Sequence, residues 1–412
     1  MDFDILLKRG LLADGSGAPM RDADVGIVGD RIARIGDLDL KSAKEEIDCR
    51  GKVVAPGFVD IHGHSDYFLL VEPGSPNKLL QGVTTEIGGN CGYSAAPISD
   101  EMSAERGESL DRNFGLRPDW NTLDEYYAKL KKVGPALNFG ILAGHNTVRA
   151  SVMSGAARPP DDDEKAAMSA MLVEAMESGA LGMSTGLIYP PGCFADREEL
   201  AELCLPVARY GGFFATHMRS EGRELIESVE EVLYAARKSG VRLEISHIKT
   251  SGPKNWSKID DVVSIIDGAR EDGVDVACDR YPYTASFTGL SAVLPSWVFE
   301  GSRQEFRHRL TDGEIRTRLK REIIKDNGAD YLDRVVVAQT FGDTAGDIEG
   351  KSVVDAAYEK NMDPYEFLFD ILAKDGSEPT AVYHTMSDEN MMRFLALPYS
   401  MIGSDASVRA PE

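Results

Sequence analysis

From residue 58 onward, short apolar runs alternate with longer stretches in which apolar residues recur every three or four positions. That alternation predicts repeated βα units around a parallel sheet. The runs cover 58–64, 84–92, 138–145, 181–187, 213–219, 242–249, 275–283 and 399–405, and eight parallel strands imply a closed barrel. The stretches between them carry helix signals. Asp161, Asp162, Asp163 and Glu164 put negative charge at the first turn of a helix that Gly179 can end. A second helix is predicted from Leu225 to Gly240, with Leu225, Val229, Val232, Leu233 and Ala236 on one face. Segment 285–398 is too long for a simple crossover, so it is predicted to be an insertion at the barrel mouth, with its own helices and a strand at 335–338.

The first 55 residues have a different rhythm, with strands predicted at 4–8, 23–28 and 31–35 between Gly15, Gly17, Gly29 and Gly36. Gly10, Gly15 and Gly17 precede no helix, so they do not form a phosphate-binding loop. The expected fold is α/β: a (β/α)8 TIM-type barrel over 56–412, with its insertion at about 285–398. It is preceded by the N-terminal part, 1–55, of a small β-sandwich domain whose C-terminal part is missing from the chain. Few residues follow Asp405, and a few short strands bury too little surface alone, so the protein or its family is expected to continue beyond Glu412.

Composition narrows the function. Hydrophobic residues at 42% and charged residues at 27% are ordinary for a globular protein. A net charge of −23 disfavours nucleic acid and anionic membranes as partners, because both need clustered Lys and Arg. It also means that any substrate carboxylate needs a local cation, for which Arg219 and Lys249 are candidates. No run approaches the roughly 18 apolar residues of a membrane span, and the start Met1-Asp2-Phe3-Asp4 lacks a basic signal end, so a cytoplasmic location is expected. Five dispersed cysteines without a C-x-x-C pair argue for reduced thiols.

The chemistry is concentrated at the ends of the runs. His62 and His64 close the first one, and on a strand residues i and i+2 share a face, so both imidazoles aim at one spot. Asp66 follows, and Cys91, His217, His247 and Asp405 each close a later run. Barrel enzymes assemble their sites at this end of the strands. Cys91 lies in Gly88-Gly89-Asn90-Cys91-Gly92, where glycines permit close backbone approach. One thiolate with two imidazoles, from Cys91, His217 and His247, suits a tightly held Zn2+ with a fourth position open. His62, His64 and Asp405 would form an adjacent, weaker locus, or hydrogen-bond water and substrate if one ion binds. His145 also ends a run, His384 lies in the insertion, and His308, among Arg307, Arg309 and Glu305, reads as a surface residue.

These segments resemble the amidohydrolase superfamily, and within it the zinc-dependent D-aminoacylases (N-acyl-D-amino-acid deacylases). The resemblance is carried by Gly57-Phe58-Val59-Asp60-Ile61-His62-Gly63-His64, Gly89-Asn90-Cys91-Gly92, Thr216-His217-Met218-Arg219, Ser246-His247-Ile248-Lys249, Tyr281-Pro282-Tyr283-Thr284-Ala285-Ser286 and Gly403-Ser404-Asp405. It implies the tight zinc on Cys91, His217 and His247, the second locus on His62, His64 and Asp405, and Asp405 as acid/base. It further implies Tyr189, Lys249 and Tyr281 around the substrate carboxylate. Phe287 stands where the family usually has a small hydroxyl residue, and the family's His-Pro-Arg segment does not follow Asp405 within the 412 residues.

The expected function is zinc-dependent hydrolysis of an N-acyl-D-amino acid, a small-molecule substrate, by a chain that could form a homo-oligomer. A cyclic-amide hydrolase of the dihydroorotase or hydantoinase kind is the nearest alternative, but it uses a carbamylated lysine at the fourth strand end, and 181–187 contains no lysine. A non-catalytic scaffold barrel is the other alternative, and it would be expected to have lost ligand-type residues that are all present here.

Overall fold

The computed structural model describes residues 2–340, 346–374 and 379–409. The chain divides into two compact units, residues 1–58 with 82–84, and residues 59–81 with 85–412.

The first unit is a five-stranded sheet of β1 (Phe3–Leu12), β2 (Arg21–Val28), β3 (Arg31–Gly36), β4 (Ala43–Asp48) and β5 (Val53–Val54), in the order β3-β2-β1-β4 with β5 also on β1. The strands β4 and β5 were not among those predicted. The segment Ala43–Asp48 is mostly charged and exposed, so it has little strand signal of its own; its parallel pairing with β1 holds it. Phe3, Leu6 and Leu38 form a small core, and Gly26 must lack a side chain because a Cβ there would fall 2.5 Å from the Phe3 ring.

The barrel strands are β6 (Phe58–Asp60), β7 (Val83–Gly88), β8 (Asn138–Ile141), β9 (Ala143–Gly144), β10 (Gly182–Gly186), β11 (Phe213–His217), β12 (Arg242–Ile245) and β13 (Val276–Arg280). The insertion then supplies β14 (Ser286–Gly289), β15 (Val335–Gln339) and β16 (Thr380–Tyr383), and the last barrel strand is β17 (Ser400–Ile402). One sheet runs β6-β7-β8 and another β17-β13-β12-β11-β10-β9. Because β8 and β9 are pieces of one run, and Gly63 bridges Ala406 in parallel, the two sheets join into a closed ring of eight strand positions.

Helices cover the ring as the periodicity predicts. Asp161 caps the helix Asp162–Glu177 through a reciprocal pair with Glu164, and Gly240 ends Leu225–Ser239 in the left-handed region at φ 73°. Leu225, Val229, Val232, Leu233 and Ala236 are all buried, each of the larger ones contributing about 1.5–3 kcal/mol of transfer free energy. The insertion has a separate core. Its antiparallel sheet β14-β16-β15 packs with helices Arg303–Thr311, Gly313–Asn327 and Pro364–Ala373 around Leu290, Leu319 and Phe369.

The strands stop earlier than the apolar runs. Among the ligand-type residues only His217 lies within a strand; the others sit one to several residues beyond, where the backbone has left the ladder. Cys91 (φ 51°), His247 (φ 37°) and Asp405 (φ 53°) occupy the left-handed region, uncommon for residues with a Cβ. No helix among the described residues is long and apolar enough to cross a membrane.

Candidate metal centre

Each turn after a strand is shaped to bring one side chain inward. After β7 the chain passes Gly89 (φ 72°) and Gly92 (φ 79°), where a Cβ would meet Leu142 O and Asn146 Oδ1 at 2.1 Å, so only glycine lets Cys91 approach this closely. After β17, a Cβ on Gly403 would lie 2.4 Å from that of His62, and Asp405 N donates to His62 O at 2.8 Å.

The result converges on one sulfur. Cys91 Sγ lies 3.4 Å from His62 Nε2, 3.4 Å from His247 Nε2 and 3.6 Å from His217 Nδ1. His62, Cys91, His217 and His247 are all buried. Asp405 Oδ1 completes the cluster, 3.0 Å from His64 Nε2 and 3.6 Å from His62 Nε2. The ligand atoms of His62, Cys91, His247 and Asp405 all lie within 4.8 Å of one another. The two expected ligand sets are therefore not separate: His62 stands as close to the thiol as His247 does.

Electrostatics favour the ligating forms of Cys91, Asp405 and His217. Burial pushes the Cys91 thiol up, but the charges of His62 and His247 and hydrogen bonds with His217 and His247 overcome it and hold the group well below the thiol range. Burial likewise raises the Asp405 carboxyl, and the His64 hydrogen bond with the charges of His247 and His62 brings it below the usual value. His217 is pushed down, chiefly by burial, which favours its neutral imidazole.

A metal ion fits this arrangement. Four-coordinate zinc has bonds of about 2.3 Å to sulfur and 2.0–2.1 Å to nitrogen, which puts the sulfur–nitrogen edge of the tetrahedron at about 3.5 Å. The three distances around Cys91 Sγ straddle that value. His217 Nε2 is buried without a hydrogen-bond partner among the described atoms, the nearest carboxylate being Glu221 Oε1 at 3.9 Å.

Three acidic residues support the ligands, and the sequence reading missed all of them. Asp279 Oδ2 lies 2.9 Å from His62 Nδ1, Glu221 Oε1 lies 3.0 Å from His247 Nδ1, and Glu244 forms a buried group with Asp279 and His62. Carboxylates beside the outer nitrogens of His62 and His247 turn their inner nitrogens towards Cys91. Asp279 had a signal, since it falls in the seventh apolar run, and Glu244 falls in the sixth. Glu221 follows His217 by four residues in a polar turn and had none.

The remaining expectations divide. Tyr189 lines a cavity of about 950 Å³ that also exposes His64, Cys91, Asp405, Phe287 and Thr288, and its hydroxyl is 2.9 Å from Thr288 Oγ1. Lys249 and Tyr281 are buried and are not on that cavity wall. The Lys249 ammonium is bound to Glu221 and lies 2.7 Å from His247 Nδ1, while Tyr281 stacks on Tyr283 with ring centroids 4.5 Å apart. Arg219 is not a carboxylate receptor: its guanidinium is spent on Glu231 and the carbonyls of Cys193 and Ala195. His145 does not reach the centre, since its Nε2 pairs with Glu199 at 2.8 Å beside Arg149. Asp66 is buried with its carboxyl pushed up by burial, and His308 and His384 are exposed.

Known proteins share this framework. A family model described as the amidohydrolase family matches residues 45–306. The chain is 34% identical over 404 residues to a D-aminoacylase of Alcaligenes xylosoxydans xylosoxydans, covering 98% of this chain and 74% of that protein. It is 40% identical over 288 residues to an N-acyl-D-glutamate deacylase of the same organism, covering 70% of this chain and 58% of the relative. Among solved structures, an N-acyl-D-glutamate deacylase from Bordetella bronchiseptica, complexed with zinc and a phosphonate inhibitor that mimics the tetrahedral intermediate, matches with a TM-score of 0.82 and 32% identity over 98% of this chain and 76% of that one. A D-aminoacylase studied for its binuclear metal centre matches with a TM-score of 0.80 and 34% identity over the same shares.

Proposed function

The chain belongs to the amidohydrolase family, and from that premise we propose that it is a metal-dependent enzyme that cleaves the amide bond of N-acyl-D-amino acids, releasing a carboxylate and a free D-amino acid. The observation that carries this reading is the set of three imidazole nitrogens 3.4–3.6 Å from Cys91 Sγ, opening on a cavity that also exposes Asp405. The D-aminoacylase and the acylglutamate deacylase supply the substrate class.

Cys91, His217 and His247 would hold one zinc tightly, with His62, His64 and Asp405 as a second, weaker locus that shares Cys91 as its neighbour. When bound, the ion would supply Lewis-acid polarisation of the acyl carbonyl and would acidify water to a pKa of about 7. Asp405 is the carboxylate that takes the proton of the attacking water at Oδ1 and returns it to the departing nitrogen, which would otherwise leave poorly. His64, at 3.0 Å, orients that carboxylate. Tyr189 contacts the substrate from the cavity wall, which Phe287 also lines. Lys249 acts from behind the wall, fixing Glu221 and His247. The experiment is a screen of paired N-acyl-D- and N-acyl-L-amino acids with zinc-loaded protein, in which only the D series should be turned over; hydrolysis of cyclic amides in preference to linear ones would refute the assignment.

A further inference from the structure

Lysine is rarely fully buried unless paired, yet the Lys78 side chain is 3% exposed. Its ammonium lies 2.6 Å from Asp60 Oδ2, 2.8 Å from Ser404 Oγ, 3.0 Å from Ala406 O and 3.2 Å from Glu86 Oε2. Those acceptors come from three places around the ring: the end of β6, the middle of β7 and the turn after β17. An ammonium has three protons. Since Glu86 Oε2 is left without a hydrogen bond, they go to Asp60, Ser404 and Ala406.

Two of those three partners are the neighbours of Asp405 in the chain. Ser404 Oγ passes the contact on by donating to Asp60 Oδ2 at 2.6 Å, and Ser404 N donates to Asp60 Oδ1 at 2.8 Å. Ala406 N donates back to Ser404 Oγ at 3.2 Å. Asp405 between them is held at φ 53°, a conformation that costs a residue with a Cβ and needs support from its surroundings. Asp60 Oδ1 also accepts from His62 N at 3.3 Å, so the same carboxylate ties down a ligand-type residue.

We propose that Lys78 is a positioning residue, whose ammonium, acting with Asp60 and Ser404, fixes the backbone on both sides of Asp405 and so aims its carboxylate at His64 and the reacting centre. This rests on Asp405 as the proton-transferring group proposed above. Lys78 touches no substrate; it works through the geometry of another residue.

The test is a double-mutant cycle read in kcat and KM at matched zinc content, using Lys78→Met, Ser404→Ala, Asp405→Asn and the two doubles with Asp405→Asn. Each of Lys78→Met and Ser404→Ala should lower kcat by about 10- to 100-fold with little change in KM, the penalty for a misaimed catalytic group. In the Asp405→Asn background the same changes should cost almost nothing more, because the group they aim is already disabled. Ser404→Ala removes one oxygen, so it carries the test if Lys78→Met does not fold. Normal kcat in Ser404→Ala, or penalties that multiply in the doubles, would overturn the inference. Near-normal kcat in Asp405→Asn alone would instead overturn the acid/base assignment, whatever Lys78 does.

Discussion

Asp279 Oδ2 lies 2.9 Å from His62 Nδ1, with both side chains fully buried. Because both groups are buried, the carboxylate accepts from Nδ1 and turns Nε2 towards Cys91 Sγ at 3.4 Å, where it can ligate a metal once it gives up its proton. Asp279→Asn preserves shape but loses the charge that orients the ring. Metal affinity is expected to fall by about 10- to 100-fold. Competition against a chelator of known affinity measures this, and unchanged affinity would show that His62 needs no such partner.

Metal uptake should release protons at pH 7. Burial opposes charge on His64, but hydrogen bonds to Asp405 and Cys91 raise it to about 10. His247 is disfavoured as a cation by burial and by Lys249, yet Glu221 and Cys91 raise it to about 9. Both imidazoles are therefore protonated below those values in the metal-free protein, and each must lose its proton to ligate. Affinity should rise with pH through about 9 and on towards about 10, and weaken as pH falls. An indicator dye in weak buffer reads the release directly; uptake with no acidification would contradict this charge state.

Lys249→Met should act on stability and metal binding before it acts on substrate. Removing the ammonium leaves the mostly buried Glu221 without its cation, a loss on the order of 3–5 kcal/mol for a broken buried pair. Burial, aided by the charge of Arg280, already pulls the Lys249 pKa down, with Glu221 working against that fall. Thermal melts and KM for free N-acyl amino acids against their neutral amides separate the roles: a large rise in KM for the free acids alone would mean that Lys249 grips the substrate carboxylate.

Much of this was legible because it follows from periodicity. Eight apolar runs predict eight strand positions, and the caps at Asp161 and Gly240 locate helix ends within a few residues. What could not be read is where a run leaves the ladder. Nothing in the residue types marks Cys91, His247 and Asp405 as left-handed, and the close packing at Gly89 and Gly403 beside two of them involves contacts distant in sequence. Three acidic residues were missed for a related reason. Asp279, Glu244 and Glu221 look like solvated side chains until the fold buries them against histidines. Arg219 erred in the opposite sense: it follows His217 closely, but Glu231, on the next helix, claims it.

If hydrolysis depends on a zinc ion held at Cys91, zinc content and turnover of one N-acyl-D-amino acid, measured on the same samples, must rise and fall together. Protein stripped by a chelator should lose activity and regain it in proportion to zinc added back, and Cys91→Ala should neither retain zinc through dialysis nor turn over substrate, because the thiolate is the donor that most favours zinc over harder cations. A Cys91→Ala protein with normal zinc content and normal turnover would contradict the claim and place the reacting centre elsewhere.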